Sequence, residues 1–142
     1  MMADDERFML KAREAALLAT CDRKHVGAVL VTKSRLWAPS TGSNRSLTGL
    51  PSCDDAGHDM YEGHCVRTVH AEINALTRAA ADFNVVGCTM YVTAYPCWQC
   101  FKVLASAGVS RIVYDEAYRP DERVAEAARV LGVAVVKHDA TP

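Results

Sequence analysis

The sequence holds no run of apolar residues approaching the ~18 that a membrane-spanning helix needs, so no membrane partner is expected. It has no excess of charge of either sign. Sixteen Lys and Arg stand against seventeen Asp and Glu, a formal net charge of −1. That balance argues against a protein that wraps a polynucleotide by charge alone, but not against one that binds a single nucleotide, whose phosphate needs one local pocket. There is no internal repeat and no low-complexity tract. The first residues, MMADDERF, are too acidic for a signal peptide, so a cytoplasmic protein is expected. With half of its residues hydrophobic and under a quarter charged, the chain is not disordered, and 142 residues are enough for one domain, 1–142, around one core. Against this plain background stand six cysteines. In a cytosolic chain they point away from disulfides and toward metal or catalysis.

The apolar spacing predicts a helix capped by Asp4 and carrying Phe8, Leu10, Ala12, Ala15, Ala16, Leu17 and Ala19. Val26 to Val31 reads as a buried strand. Arg35 to Ser40 reads as its antiparallel partner across a turn at Lys33-Ser34, and Pro39 places that partner at a sheet edge. From Gly42 to Cys65 the apolar periodicity vanishes, which reads as a long structureless insert (about 42–66 once its metal-binding residues are included). Helices are expected at 70–81, 97–107 and 120–131, and strands at 89–93, 111–114 and 133–136. Alternating strand and helix in the second half calls for parallel strands with right-handed crossovers. The fold class is therefore α/β, a three-layer α/β/α sandwich with a mixed five-stranded sheet.

Two segments carry chemistry: His70-Ala71-Glu72, and Pro96-Cys97-Trp98-Gln99-Cys100, each at the start of a predicted helix. The i, i+3 spacing puts Cys97 and Cys100 on one face, where a helix N-terminus favours the thiolate a metal needs. His70 supplies a third ligand. Three protein ligands leave a tetrahedral zinc with one open position, the arrangement of a catalytic site. Glu72 is close enough to serve as the proton shuttle without being a ligand. An H-x-E followed by P-C-x-x-C is the pattern of zinc deaminases. Either half alone is weak, since C-x-x-C also occurs in structural zinc knuckles and redox pairs; together and in this order they leave little room for coincidence.

With these motifs in place, the sequence resembles the deoxycytidylate (dCMP) deaminase family of the cytidine deaminase superfamily, late-competence type. The likeness runs from about Cys21 to Val136. It is carried by Val26-Gly27-Ala28-Val29, by Gly42-Ser43-Asn44, by the continuous run Gly63 to Glu72, by Gly87 to Thr93 with Pro96-Cys97, and by Ala107-Gly108-Val109 with Ile112-Val113-Tyr114. The resemblance implies hydrolytic deamination of dCMP to dUMP, feeding thymidylate synthesis, by a homo-oligomer such as a hexamer. It implies that Asn44 contacts the sugar, that the backbone near Ala71, Thr93 and Ala94 holds the base, and that Tyr118 closes over the site. The chain departs from the family loop G-Y-N-G-x-P-x-G in having Ser43, Arg45 and Leu47, which bears on effector control and substrate choice. Arg45 and Ser46 become candidate phosphate donors in that loop.

The other cysteines and histidines suggest a second, structural zinc that would pin an insert with little apolar core of its own. The expected ligand set is Cys21, Cys53, His58 and His64, with Cys65 as the substitute. Cys88 is expected in the core, and His25 and His138 at the surface or at strand ends. The competing readings are a deaminase of another nucleotide, a nucleoside, a base or tRNA adenosine, and a zinc-stabilised binding module with a dead site. Net charge speaks against the tRNA substrate, and Glu72 against the dead site.

Overall fold

Strand–helix alternation in the second half of the chain builds the centre of the sheet. The computed structural model describes residues 4–34 and 39–139. Its elements run α1 (Asp4–Ala16), β1 (Gly27–Val31), β2 (Ser40–Ser43), β3 (Arg45–Ser46), α2 (Cys53–Ala56), β4 (Met60–Tyr61), β5 (His64–Cys65), β6 (Thr68–Val69), α3 (Ala71–Asp82), β7 (Thr89–Ala94), α4 (Trp98–Ala107), β8 (Arg111–Glu116), α5 (Glu122–Leu131) and β9 (Ala134–Lys137). The main sheet has the order β2-β1-β7-β8-β9. β1 is antiparallel to both neighbours, while β7, β8 and β9 are parallel. This is the mixed five-stranded sheet the sequence calls for.

The period of two along each strand splits the core into two layers. Val29, Val31, Tyr91 and Val113 face α1, where Phe8, Met9 and Ala12 cover them. Ala28, Leu30, Met90, Val92 and Ile112 face the other way, under Ala75 and Leu76 of α3, Phe101 and Leu104 of α4, and Val124 and Ala128 of α5. Full burial of a side chain such as Phe8 or Leu104 contributes about 1.5–3 kcal/mol. Polar groups fasten α1 at its ends. Arg111 donates to Asp5 at 2.9 and 2.6 Å, and the Tyr91 hydroxyl donates to the same carboxylate. The Arg111 guanidinium holds the Asp5 carboxyl down at about 2. Arg13 grips Asp115 through two bonds of 2.8 Å, and His138 meets Glu6 at 2.8 Å.

Two glycines set how closely the layers approach. A Cβ on Gly27 would lie 1.9 Å from the Ala12 carbonyl oxygen, so β1 touches the backbone of α1. A Cβ on Gly42 would lie 2.4 Å from the Ala71 carbonyl and 2.6 Å from the Ala75 nitrogen. β2 therefore lies directly on the first turns of α3. Ser40 Oγ donates to the Ala75 carbonyl and Asn74 Nδ2 to the Ser43 carbonyl, both at 2.8 Å, which locks that approach.

Three expectations need correction. α1 stops at Ala16 and passes into a turn, so Leu17 is exposed rather than on the buried face. The edge strand is at the sheet edge as expected but runs Ser40–Ser43; of the expected span, 35–38 lies outside the described residues. The insert is not structureless: β3 pairs with β6, β4 pairs with β5, and α2 is closed by a capping box between Ser52 and Asp55. Strands of two residues and a helix of four are too short to leave a hydrophobic period.

Candidate active site and a second metal-ligand cluster

Both helices that bear the motifs begin at their functional residues. His70 is the N-cap of α3 and Cys97 the N-cap of α4, each in extended conformation. Cys97 Sγ accepts from the Cys100 amide at 3.4 Å, satisfying one of the free N–H groups of the first helical turn. His70 Nδ1 lies 3.2 Å from Cys100 Sγ and 3.6 Å from Cys97 Sγ. A tetrahedral zinc with Zn–S of about 2.3 Å and Zn–N of about 2.0–2.1 Å keeps its ligand atoms roughly 3.5–3.8 Å apart. The donor chemistry of one nitrogen and two sulfurs fits that ion; the Cys97 distance falls in this range, and the Cys100 distance is a few tenths of an ångström shorter.

The electrostatics favour one thiolate, that of Cys97. A hydrogen bond from Cys100, against the opposing effect of burial and with help from His70, draws the Cys97 thiol down to about 4. The neighbouring Cys97 and burial push Cys100 up. The hydrogen bond to Cys97 raises His70. Glu72 sits one residue into α3, only 4% exposed, and burial raises its pKa. The structure thus brings together all four residues named for the active site, three that could hold a metal ion and an adjacent carboxyl group.

The substrate candidates are more dispersed. Ala71 is buried against Gly42, and Ala94 is buried at the end of β7. Thr93 Oγ1 accepts from the Gly27 amide at 3.1 Å. Asn44 is buried, its Oδ1 accepting from the Val26 amide and its Nδ2 donating to the Lys24 carbonyl, both at 2.7 Å. Each end of that amide keeps one further hydrogen-bond position. Arg45 donates to the Leu18 carbonyl, beyond the end of α1. The Ser46 amide donates to Thr20 Oγ1 at 3.1 Å, while Ser46 Oγ is buried without a partner. Tyr118 lies in the loop after β8, with Lys24 Nζ 4.8 Å from its ring centroid.

The second cluster is Cys21, Cys53, His58 and Cys65, with ligand atoms all within 4.8 Å of one another. Cys53 Sγ lies 3.6 Å from Cys65 Sγ, and Cys21 Sγ 3.5 Å from His58 Nδ1, again tetrahedral-edge distances. Here the preferred set is corrected: His64 is turned away, with its Nδ1 3.4 Å from Arg119 Nη1, and Cys65 occupies the fourth place. Burial, with Cys65 and Cys21 adjacent, pushes Cys53 up to about 12. Burial also opposes ionisation of Cys65, but the Arg67 and Asp59 amides outweigh it and bring that thiol to about 6. His58 Nε2 meets Asp22 at 3.0 Å while its Nδ1 faces the sulfurs. A carboxylate on the far ring nitrogen orients a metal-binding histidine and raises its basicity. Sequence reading missed Asp22; its signal is a carboxylate adjoining a ligand cysteine. Cys88 is buried in the core and His138 lies at the end of its strand, both as expected, with His138 itself buried.

The family model for the cytidine and deoxycytidylate deaminase zinc-binding region matches residues 2–116. ComE operon protein 2 of Bacillus subtilis (strain 168) is 38% identical over 133 residues, covering 92% of this chain and 69% of that protein. The deoxycytidylate deaminase of Saccharomyces cerevisiae is 34% identical over 137 residues, covering 92% of this chain but only 43% of the yeast protein. The crystal structure of dCMP deaminase from the cyanophage S-TIM5, in complex with dCMP and dUMP, superposes with a TM-score of 0.80 at 28% identity, covering 97% of this chain and 99% of that one.

Proposed function

The chain belongs to the cytidine and deoxycytidylate deaminase family, and on that premise we propose that it converts dCMP to dUMP by hydrolysis, releasing ammonia and supplying dUMP for thymidylate synthesis. The observation that carries this reading is the three-ligand cluster of His70, Cys97 and Cys100 with Glu72 buried beside it. Zinc held there supplies the Lewis acidity that makes water nucleophilic near neutral pH. Glu72 moves the protons. The water oxygen that attacks C4 of cytosine must give up two protons in turn, one that ends on the ring nitrogen and one that ends on the departing amine, which leaves as ammonia. A single carboxyl group can accept each from the oxygen and donate it onward. Its burial keeps bulk water from competing for those transfers, and burial also raises its affinity for the proton it carries.

In this reading the backbone at Ala71 and Thr93-Ala94 holds the base, Asn44 uses its remaining hydrogen-bond positions on the sugar, and Tyr118 borders the pocket. The second cluster holds a structural zinc through Cys21, Cys53, His58 and Cys65. The preference for a monophosphate is supported by the dCMP and dUMP bound in the cyanophage enzyme. Hydrogen bonds to a charged group contribute ~1.5–3 kcal/mol each, so two to a phosphate give a preference of roughly 10²–10⁴ in kcat/KM. Ammonia release from dCMP, dCTP, deoxycytidine and cytosine presented in parallel tests this. The expected order places dCMP first; a preference for deoxycytidine, cytosine or dCTP refutes the monophosphate assignment.

A further inference from the structure

The hairpin that carries Cys65 into the second cluster also carries a side chain that the cluster does not use. His64 meets Arg119 Nη1 at 3.4 Å, and Arg23 Nη2 donates to the Gly63 carbonyl at 3.4 Å on the same hairpin tip. Arg119 lies in the loop between β8 and α5, its guanidinium carbon 5.2 Å from the centroid of the Tyr118 ring. That loop flanks the active site at both ends. At its start, Glu116 pairs in register with Ala94 and accepts from the Tyr95 amide at 2.9 Å, two residues before Cys97. Beyond its end, Arg123 lies over the Trp98 ring, one residue after Cys97.

Backbone strain marks the same junction. Glu62 at φ 48° and Arg119 at φ 49° are the non-glycine residues with positive φ among those described. One sits in the hairpin turn and the other in the loop that the hairpin touches. The left-handed conformation costs an L-residue with a Cβ roughly 1–2 kcal/mol, so the surrounding contacts must hold both residues in place.

We propose that His64 is a positioning residue, which docks the metal-pinned hairpin onto Arg119 and thereby holds the Tyr118-Arg119 loop at the mouth of the active site in the shape that admits a nucleoside monophosphate. The inference rests on the proposed function for the identity of the substrate, but not for the contact itself. It gives the second cluster a role in substrate binding: the metal fixes the hairpin, the hairpin fixes the loop, and the loop borders the pocket.

The test uses the zinc-loaded full chain as wild type, His64→Ala, His64→Gln, Arg119→Ala and the His64→Ala/Arg119→Ala double variant. Zinc content, amide hydrogen exchange across 117–119, and KM and kcat for dCMP are measured on each. His64→Ala is expected to keep its full zinc, to speed exchange in the loop at least fivefold, and to raise KM at least threefold with kcat within twofold. His64→Gln, whose amide oxygen can accept from Arg119, should recover most of both effects. In the Arg119→Ala background, His64→Ala should add nothing. Zinc loss in His64→Ala, unchanged loop exchange, or an undiminished His64→Ala effect in the Arg119→Ala background would each overturn the proposal. If the wild type is inert toward dCMP while loop exchange still responds to His64→Ala, the substrate reading fails and the positioning role stands.

Discussion

Replacing Glu72 with Gln separates chemistry from structure at this site. Gln has the shape of Glu and can keep a hydrogen bond to the cysteine side, but it cannot accept and return a proton. Positioned acid–base groups contribute about 10²–10⁴ in rate. Because Glu72 is assigned several transfers in one turnover, the upper part of that range applies, about 4–5.5 kcal/mol of barrier. The effect on stability should differ. At 4% exposure the carboxyl group is removed from water, so an uncharged isostere has less to desolvate. The melting temperature of Glu72→Gln should therefore stay within a few degrees of wild type, where ~1 kcal/mol corresponds to roughly 3–5 °C for a chain of this size. His70, Cys97 and Cys100 are untouched, so bound zinc should not change. The assay is ammonia release from dCMP at saturating concentration, with zinc measured on the same preparation. Turnover within tenfold of wild type in the zinc-replete variant would falsify the shuttle assignment. Loss of zinc would show instead that Glu72 supports the metal ligands.

Other variants probe the scaffold. Elemental analysis should find two zinc per chain, and His58→Ala should reduce this to one and lower stability by about 3 kcal/mol or more, roughly 10 °C in melting temperature; one zinc in the wild type, with Cys53 freely alkylated, refutes the second site. Gly42→Ala forces a methyl group onto the Ala71 carbonyl and the Ala75 nitrogen, so it should cost about 1–3 kcal/mol in denaturant unfolding and reduce kcat by disturbing the start of α3. With Arg111 in place, the Asp5 carboxyl sits at about 2, below the usual 3.8, so its contribution is present above about pH 4 and is lost as pH falls toward 2. Arg111→Ala should remove that acid sensitivity. The side chains are 37% and 38% exposed, so screening holds the neutral-pH effect to about 1 kcal/mol, read as the difference in urea midpoints at pH 7 and pH 2.5.

The catalytic cluster is legible because its information is local. His70 and Glu72 share one helical turn, Cys97 and Cys100 another, and helix-start signals place both turns. The choice between His64 and Cys65 is not local. They are neighbours on a two-residue strand, so their side chains take opposite faces, and the register Met60↔Cys65, Tyr61↔His64 decides which one meets the cluster. With both Met60 and Tyr61 exposed, no buried apolar pattern announces that register. The edge strand reaches past its expected end at Ser40, to Ser43, for a related reason. Gly42 and Ser43 look like loop residues, yet Gly42 is there because α3 leaves no room for a Cβ, a constraint imposed by a helix about thirty residues later. Arg45 departs from the family loop, and one of its guanidinium nitrogens donates to the Leu18 carbonyl, a contact set by where α1 ends.

The two ligand clusters occupy separate stretches of chain. Residues 21–65 contain one set and residues 70–100 the other, with no interleaving. During synthesis every donor of the first cluster has emerged before any donor of the second. The donors of the amino-terminal cluster are therefore exposed together while Cys97 and Cys100 have yet to emerge, so thiols of the two clusters have little opportunity to share one ion. Were both clusters to take metal, the order of translation would offer the insert its donors before the turns beside Glu72 receive theirs.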